Sequence, residues 1–287
     1  MQVSVIIPVY NAEKYVREAV ESAIAQPETG EVILIEDASP DNALQVCKKL
    51  EKEYSKVKLF QHPNQENRGA GASRTLGIQK AKFDYIAFLD ADDYYLPQHF
   101  QTPRELFEKY PDIDGVYEAV GTHFQDETAK ERWFSNRKGT LTTVPKQISS
   151  ESLFQYFVTE GTGWFHTDGI TVRKSLFQKT GFFDENLAIR QDTAMWIKMA
   201  AVGKLVPGKL DQPVSMRRVH KENRIFASSK EQFDYFGILL WKILAKSAIK
   251  NSIEISKTNL LLDQYYGQKF GDFSNRSILY KKNNQLL

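Results

Sequence analysis

The chain has 287 residues, and its 38 basic and 36 acidic side chains nearly cancel, leaving a formal charge of +2. This balance predicts no nucleic acid partner, because such partners usually require a basic excess. A hydrophobic content of 41% suffices for a buried core, yet no uninterrupted apolar run reaches the roughly eighteen residues of a transmembrane helix. The single cysteine, Cys47, cannot form an internal disulfide, and the N-terminus lacks the basic segment of a signal peptide. We therefore expect a globular, cytoplasmic protein.

The N-terminal part of the chain alternates between two hydrophobic patterns. Apolar and β-branched runs of strand length occur at residues 3–10, 31–35, 57–60 and 86–89. The segments between them place apolar residues at helical spacing, and the segment at residues 69–78 is rich in glycine and alanine. Strands and helices that alternate through short connections form a doubly wound, mostly parallel sheet. The sequence therefore predicts an α/β fold. The glycine-rich segment does not follow the first strand, which argues against a dinucleotide-binding loop.

Three carboxylates follow the fourth predicted strand, at Asp90, Asp92 and Asp93. Ligands of such sheets bind beyond the carboxyl ends of the strands. If the chain remains extended, Asp90 and Asp92 point to the same side and Asp93 points away. Two carboxylates held together need a cation or a shared proton, and carboxylate oxygens suit Mg²⁺ or Mn²⁺. We therefore predict a metal-diphosphate site here, with a solvated acidic turn as the alternative.

Beyond these acids the patterns are less regular. Residues 115–124 are predicted to form one strand, and the polar residues 125–150 are predicted to form an excursion without a regular element. Residues 161–169 combine glycines with Trp164 and His166. Glycines let the backbone approach a ligand, and an aromatic ring can stack on a sugar or a base. The alternative for Trp164 is a place in the core.

From residue 228 onward the sequence has helical periodicity, and it ends in a polar tail at residues 281–285. The apolar stretch at residues 236–244 continues into a segment that contains lysines. Such a face can lie on a membrane surface, although it more commonly packs against its own domain.

Five short stretches match one pattern in order. They are VIIPVYN at residues 5–11, IEDASPD at residues 35–41, NRGAGASRTLG at residues 67–77, FLDADD at residues 88–93, and GFFDENL at residues 181–187 followed by Asp192. Together they resemble the family 2 nucleotide-sugar glycosyltransferases of GT-A fold, over residues 3–224. The resemblance implies a catalytic domain at residues 1–225 and a helical C-terminal extension at residues 226–287. Within the domain it implies a nucleotide-binding half at residues 1–110 and an acceptor-binding half at residues 111–225.

The resemblance implies that a sugar moves from a nucleoside diphosphate sugar, with a UDP-sugar favoured, to an acceptor hydroxyl, and that the anomeric carbon inverts. Asp37 is then assigned to the nucleotide base, Arg68 to the base or diphosphate, and Asp90 to the ribose side. The full set of implied nucleotide contacts is Pro8, Val9, Tyr10, Glu13, Asp37, Arg68, Asp90 and Ala91.

The resemblance also implies a Mn²⁺ or Mg²⁺ ion bound by Asp92 and by His220, although a lone histidine is commonly structural. Asp192 matches the position of the catalytic base, while a carboxylate in the first turn of a helix also stabilises the helix dipole. The family usually has glutamate before this aspartate, and this chain has Gln191. The loss of that charge is expected to change the pKa tuning of Asp192. Trp164 and His166 are assigned to acceptor binding.

The implied partners are the sugar donor and a glycan or lipid-linked acceptor, in polysaccharide or glycoconjugate synthesis in a bacterium. A peripheral contact with the inner face of a membrane through the C-terminal helices stays open, and so does the oligomeric state. Two alternatives have other functions. One is an inert nucleotide-sugar or glycan-binding module. The other is a sugar nucleotidyltransferase, which would carry a glycine-rich and basic phosphate loop where this chain has residues 8–11.

Overall fold

The computed structural model describes residues 1–136, 139–160, 164–221, 223, 229–251 and 253–270. Its largest element is a seven-stranded sheet. The strands are β1 (Val3–Val9), β2 (Thr29–Glu36), β3 (Val57–Gln61), β4 (Tyr85–Phe88), β6 (Gly115–Tyr117), β8 (Ile170–Arg173) and β9 (Leu205–Pro207). A second sheet has three strands, β5 (Tyr94–Tyr95), β7 (Ala119–Phe124) and β10 (Pro213–Val219).

The strand order of the large sheet places several strand ends at one edge. The order is β3-β2-β1-β4-β8-β6-β9. Strands β1, β2, β3 and β4 run parallel to one another, whereas β8 lies antiparallel between β4 and β6. The predicted doubly wound, mostly parallel sheet is confirmed, with β8 as its reversed strand. Because of this reversal, the start of β8 lies at the same edge as the carboxyl ends of β1, β2 and β4.

Four helices accompany the first strands, namely α1 (Val16–Ile24), α2 (Ala43–Glu53), α3 (Gly69–Lys80) and α4 (Gln101–Lys109). Helix α3 lies unusually close to the sheet. A Cβ atom placed on Gly77 would lie 2.3 Å from a methyl carbon of Ile6 on β1, so only glycine allows this distance. The small residues of α3 therefore fix its height above the sheet, and with it the position of Arg74 on the same helix.

The side chains of the parallel strands alternate between two hydrophobic clusters, one on each face of the sheet. Ile6 of β1 belongs to the first cluster, and its neighbours Val5 and Ile7 belong to the second. The second cluster includes residues of α1 and α2, among them the free Cys47. Burial raises the pKa of the Cys47 thiol to about 12, so the thiol stays neutral.

The region after α4 differs from its prediction in two places. Residues 115–124 do not form one strand, because the chain leaves the large sheet at Glu118 and continues as β7 in the small sheet. The segment predicted to lack regular structure contains the helix α5 (Glu127–Asn136). Ala129 and Trp133 of α5 pack against Val219 of β10, so the small sheet is covered on this side.

Three further helices follow, α6 (Ser150–Glu160), α7 (Leu176–Thr180) and α8 (Gln191–Val202). Helix α8 is buried along most of its length, and Trp196 at its centre is 1% exposed. Ring contacts link Trp196 to Phe165 and to Phe183. This packing fixes the first turn of α8, which begins at the edge of the sheet where the site lies.

The C-terminal extension contains α9 (Lys230–Lys250) and α10 (Ile255–Phe270). Ser229 caps α9 in a reciprocal pair with Gln232. Leu240, Trp241 and Leu244 of α9 lie in the same hydrophobic cluster as α6 and α8, so most of the apolar stretch considered for a membrane surface packs against the rest of the chain. Within the described ranges, none of the helices has the length and apolarity required to cross a membrane. The predicted polar tail, residues 281–285, lies outside the described residues.

Candidate active site

The chain turns immediately after β4. Ala91 and Asp92 form the turn, and the N–H of Asp93 donates a 3.0 Å hydrogen bond to the carbonyl oxygen of Asp90. The extended chain assumed from the sequence is therefore wrong at this point. The turn brings Asp93 beside Asp90, and their carboxylate oxygens and a ring nitrogen of His166 lie within 4.8 Å of one another. Asp92 has a separate set of contacts.

Asp90 is held from two sides. Its Oδ1 accepts a 2.6 Å hydrogen bond from Nη2 of Arg74, which is 4% exposed. Its backbone N–H donates to Oδ1 of Asp168 at 3.0 Å. Burial would raise the pKa of Asp90, but the guanidinium of Arg74 and the nearby His166 outweigh burial and lower this pKa. Asp90 is therefore ionised and already paired with a cation.

Asp93 and Asp168 form a buried acidic pair, with 3% and 0% of each residue exposed. Burial raises the pKa of both carboxyls, and each is raised further by neighbouring carboxylates. We therefore expect the pair to keep a proton at neutral pH. Asp93 Oδ1 also accepts a 2.7 Å hydrogen bond from the backbone N–H of Arg218, which ties the turn to β10.

Asp92 faces the end of β10. Its Oδ2 lies 3.1 Å from Nε2 of His220 and 3.1 Å from Nδ2 of Asn223. Asn223 also accepts a 2.6 Å hydrogen bond from the backbone N–H of His220, so the histidine and the amide are ordered together. The structure thus brings together Asp92 and His220, which the sequence resemblance paired as metal ligands.

The end of β1 leads into a loop that contacts the loop after β2. Val9 is buried, Pro8 is partly buried, and Tyr10 is 53% exposed at the surface. The N–H of Glu13 donates a 2.8 Å hydrogen bond to the carboxylate of Asp41. The carboxylate of Glu13 accepts a 3.2 Å hydrogen bond from the N–H of Asn42. These residues border the same edge of the sheet as the acidic turn.

Asp37 follows β2 and binds the start of α3. Its two carboxylate oxygens accept hydrogen bonds of 2.7 Å and 2.8 Å from the backbone N–H groups of Arg68 and Gly69. Burial raises the pKa of Asp37, and these two hydrogen bonds offset part of the rise. The Arg68 side chain forms an ion pair with Glu185. Asp37 therefore has a structural role at the helix start, and each of its oxygens keeps capacity for a further donor.

The two residues predicted to bind an acceptor lie in different surroundings. The Trp164 ring stacks on Phe157, with ring centroids 4.7 Å apart, and it packs against the large hydrophobic cluster. His166 lies beside the acidic turn, and its Nδ1 accepts a 3.3 Å hydrogen bond from the N–H of Asp168. The glycines at residues 161–163, which belong to the same predicted segment, lie outside the described residues.

Asp192 lies in the first turn of α8, and its Oδ1 accepts a 2.7 Å hydrogen bond from the N–H of Thr193. Its negative charge affects the pKa of His166, which lies beside the acidic turn. Burial and the positive charge of Arg217 lower the pKa of His166, while the charges of Asp90, Asp93 and Asp192 act in the opposite direction. Asp192 therefore lies close enough to His166 for its charge to act on that ring beside the acidic turn.

Gln191, the neighbour of Asp192, is 9% exposed. A Cβ atom placed on Gly71 of α3 would lie 3.3 Å from its Cγ, so the start of α8 contacts α3 directly. Among the described residues, no hydrogen-bond partner reaches Oε1 of Gln191 or Nε and Nη1 of Arg74. Both residues thus leave buried polar atoms that a ligand could satisfy.

The sequence reasoning assigned no role to Arg74, Asp168 or Asn223. Arg74 had a usable signal, since it is a cation that directly follows five small residues, Gly69 to Ser73, in a helix that packs close to the sheet. Asp168 had none, because its position depends on the reversed direction of β8. Asn223 stood in the segment that carries His220, but its contact with Asp92 depends on the hydrogen bonds that join Asn223 to the backbone of His220.

Solved structures share this architecture. Staphylococcus aureus TarS 1–349 in complex with UDP-GlcNAc superimposes with a TM-score of 0.68 at 18% identity, over 98% of this chain and 76% of that chain. The mannosyltransferase PcManGT from Pyrobaculum calidifontis, in complex with GDP-Man and Mn²⁺, gives a TM-score of 0.55 at 16% identity, over 92% of this chain and 69% of that chain. At these identities the likeness concerns the fold, and the fold is of the GT-A type.

The sequence comparisons identify the family. The family model described as glycosyl transferase family 2 matches residues 4–181. An uncharacterized glycosyltransferase of Rickettsia bellii is 30% identical over 257 residues, which is 86% of this chain and 34% of that protein. The chain belongs to glycosyl transferase family 2. It spans about a third of the length of the first curated relatives that it matches.

Proposed function

We propose that the protein is a metal-dependent inverting glycosyltransferase, which moves a sugar from a nucleoside diphosphate sugar, with a UDP-sugar favoured, to an acceptor hydroxyl. The observation that carries the proposal is the 3.1 Å separation of Asp92 Oδ2 and His220 Nε2 at the carboxyl edge of the sheet. The charge of Asp192, a carboxylate from a different element, acts on His166 beside the acidic turn, which supports a place for Asp192 in the same site.

Among the residues that the structure describes, we consider two groups of side chains that could hold the metal, and we assign the metal to Asp92 and His220. Two ligands of an octahedral Mg²⁺ or Mn²⁺ ion stand about 3 Å apart when they occupy adjacent positions. The 3.1 Å separation of Asp92 and His220 fits this geometry. The second group, Asp90, Asp93 and His166, is less suited. Arg74 already neutralises Asp90, and burial favours the protonated form of the Asp93–Asp168 pair.

The chemistry needs three contributions. A bound Mn²⁺ or Mg²⁺ would offset the negative charge that develops on the departing diphosphate. The acceptor oxygen bonds to the anomeric carbon from one face while the bond to the diphosphate breaks on the other. Asp192 takes the acceptor proton. Thr193 holds Oδ1 of Asp192, which leaves Oδ2 to accept that proton.

The proposed donor site follows the edge of the sheet. Pro8, Val9, Tyr10 and Glu13 border the nucleotide, and Asp37 presents its remaining acceptor capacity to an N–H of the base. Residues 1–110 would then hold the nucleotide, and residues 111–225 would hold the acceptor. Trp164 and His166 belong to that second half, with His166 nearer to the reacting centre than Trp164.

The proposed acceptor is a glycan or a lipid-linked glycan, and the proposed setting is the cytoplasm. The lone, buried thiol of Cys47 fits a reducing compartment. Any peripheral contact with a membrane would need exposed residues of the C-terminal helices, such as Ile249 and Ile255, because the apolar face of α9 is covered.

Calorimetric titration with UDP, GDP and CDP, each in Mn²⁺ and in EDTA, tests the proposed donor site. We expect metal-dependent binding with a preference for UDP. If a nucleotide binds tightly while no sugar donor is turned over with any acceptor offered, the inert binding module replaces the enzyme. If none of the three nucleotides binds, the proposed site is wrong.

We predict that Asp92→Ala reduces the affinity for UDP in Mn²⁺ to the value measured in EDTA. The physical reason is that the variant removes the only carboxylate of the proposed ligand pair. Asp112→Ala is a matched control, because Asp112 is exposed and forms an ion pair with Lys204 away from the site. An Asp92→Ala protein that kept the full effect of Mn²⁺ on UDP affinity would rule out the assignment.

A further inference from the structure

Arg218, on β10, lies behind the acidic turn, and the reaction proposed above does not use it. It is 9% exposed. Its Nε donates to the carbonyl oxygen of Asp92 at 3.0 Å, and its Nη2 donates to Glu18 of α1 at 2.6 Å. Its backbone N–H donates to Asp93 at 2.7 Å. Arg218 thus links Asp92 and Asp93 of the turn to β10, on which it lies, and to Glu18 of α1.

Two tyrosines enclose the guanidinium group of Arg218. Its Cζ lies 5.1 Å from the ring centroid of Tyr15 and 5.4 Å from that of Tyr94. Both tyrosine hydroxyls are held in turn, Tyr15 by Gln125 at 3.0 Å and Tyr94 by His123 at 2.9 Å. A planar guanidinium can stack between rings and still donate along its edge to two acceptors, whereas a lysine ammonium cannot do both.

Arg218 and Tyr15 also contact His220 and Asn223, the residues on the other side of Asp92 in the proposed metal site. The Tyr15 ring packs on the His220 ring, with centroids 5.1 Å apart. The carbonyl oxygen of Arg218 accepts a 3.2 Å hydrogen bond from Asn223, whose amide also contacts Asp92. Displacement of the Arg218 guanidinium would therefore release the Asp92 carbonyl and remove the support of the Tyr15 ring at the same time.

We propose that Arg218, held by Glu18, Tyr15 and Tyr94, is a positioning residue that sets the relative placement of Asp92 and His220 and thereby the affinity for a divalent cation. This inference rests on the proposed function, since it takes Asp92 and His220 as the metal ligands. Arg218 acts through these residues and touches neither the cation nor the sugar donor. Partners that orient metal ligands contribute about 10–100-fold to metal affinity in other proteins.

The test measures Mn²⁺ affinity of the full chain without nucleotide, from the electron paramagnetic resonance signal of free Mn²⁺. We expect Arg218→Lys to weaken Mn²⁺ binding about 10-fold. Glu18→Gln should weaken it about 3-fold, because the half-exposed Glu18 contributes a modest ion pair. Glu21→Gln is the matched control, since Glu21 lies on the same helix and contacts Arg17 instead. It should keep the affinity of the unmodified protein.

Two further readouts separate positioning from a general structural effect. The affinity for UDP in EDTA should be unchanged in Arg218→Lys and Glu18→Gln, while the gain produced by Mn²⁺ should shrink.

The outcomes separate this inference from the proposed function. If the unmodified protein binds Mn²⁺ and Asp92→Ala abolishes binding, but Arg218→Lys and Glu18→Gln bind Mn²⁺ as the unmodified protein does, the role of Arg218 is wrong and the metal site stands. If the unmodified protein binds no Mn²⁺, either alone or with UDP present, the metal site and this inference both fail. Equal losses of UDP affinity with and without Mn²⁺ would also overturn the positioning role.

Discussion

Asp192→Asn should lower turnover by ~10²–10⁴-fold, the usual contribution of a general base, while the affinities for nucleotide and for Mn²⁺ stay close to those of the unmodified protein. The substitution is conservative for the fold. An asparagine Oδ1 can still accept the hydrogen bond that Asp192 receives from Thr193, and asparagine has the same size as aspartate. What the variant loses is the oxygen that would take the proton of the acceptor hydroxyl.

The measurement is release of nucleoside diphosphate, with the donor and acceptor that give the highest rate in a panel. Asp211→Asn serves as the control, because Asp211 is exposed in the loop between β9 and β10. If Asp192 only stabilised the helix dipole, Asp192→Asn would lower the stability by less than about 1 kcal/mol and leave turnover nearly normal. That result would remove Asp192 from the role of base.

The parallel half of the fold could be predicted from the sequence because its signals are local. Each strand from β1 to β4 is an apolar run of its own, helices α1 and α2 each carry a stripe of apolar residues, and α3 is marked by its small residues. The second half depends on contacts between distant residues. Residues 115–124 are divided between two sheets because Glu118 approaches Gly169 and Gly208, and nothing in the local pattern records those neighbours. The sequence does not predict helix α5 because, among the side chains of this helix that the structure describes, Ala129 and Trp133 alone mark its buried side.

The candidate site shows the same division. The residue types and their order were sufficient to pair Asp92 with His220, through a resemblance to a family. The geometry of the turn was not predictable, because strand periodicity gives no sign of where the chain stops being extended. Asp90 and Asp93 therefore lie together, although alternation along an extended strand would separate them. The role of Arg218 could not be predicted from the sequence at all. Its contacts join α1, the turn after β4 and β10, which are distant in sequence.

Glu118 is a buried carboxyl group with a large shift in its pKa. It lies where the chain passes from β6 to β7, and it is 1% exposed. Its Oε1 accepts a 3.0 Å hydrogen bond from the N–H of Lys209. A Cβ atom placed on Gly208 would lie 2.6 Å from its Cγ, so the loop after β9 closes tightly over the carboxyl group. Burial raises the pKa of Glu118 from 4.5 to about 7.

This shift predicts how stability depends on pH. In the unfolded chain Glu118 loses its proton near pH 4.5, and in the folded chain it does so near pH 7. Between these values the folded state binds more protons, so the contribution of Glu118 is fully present below pH 4.5 and is lost as the pH rises through 7. At 1.36 kcal/mol per pKa unit, the loss is about 3 kcal/mol.

Glu118→Gln does not titrate at this position, and a glutamine Oε1 can still accept from Lys209. We therefore predict that the stability of Glu118→Gln relative to the unmodified protein increases by about 3 kcal/mol between pH 4.5 and pH 8. Urea denaturation at several pH values measures this difference, and other buried groups such as Asp93 and Asp168 cancel because both proteins contain them. Glu108→Gln controls for the removal of an exposed carboxylate. If the unfolding free energies of Glu118→Gln and of the unmodified protein change with pH in parallel, Glu118 is ionised in the folded protein. The loop at Gly208 would then not exclude water from the carboxyl group.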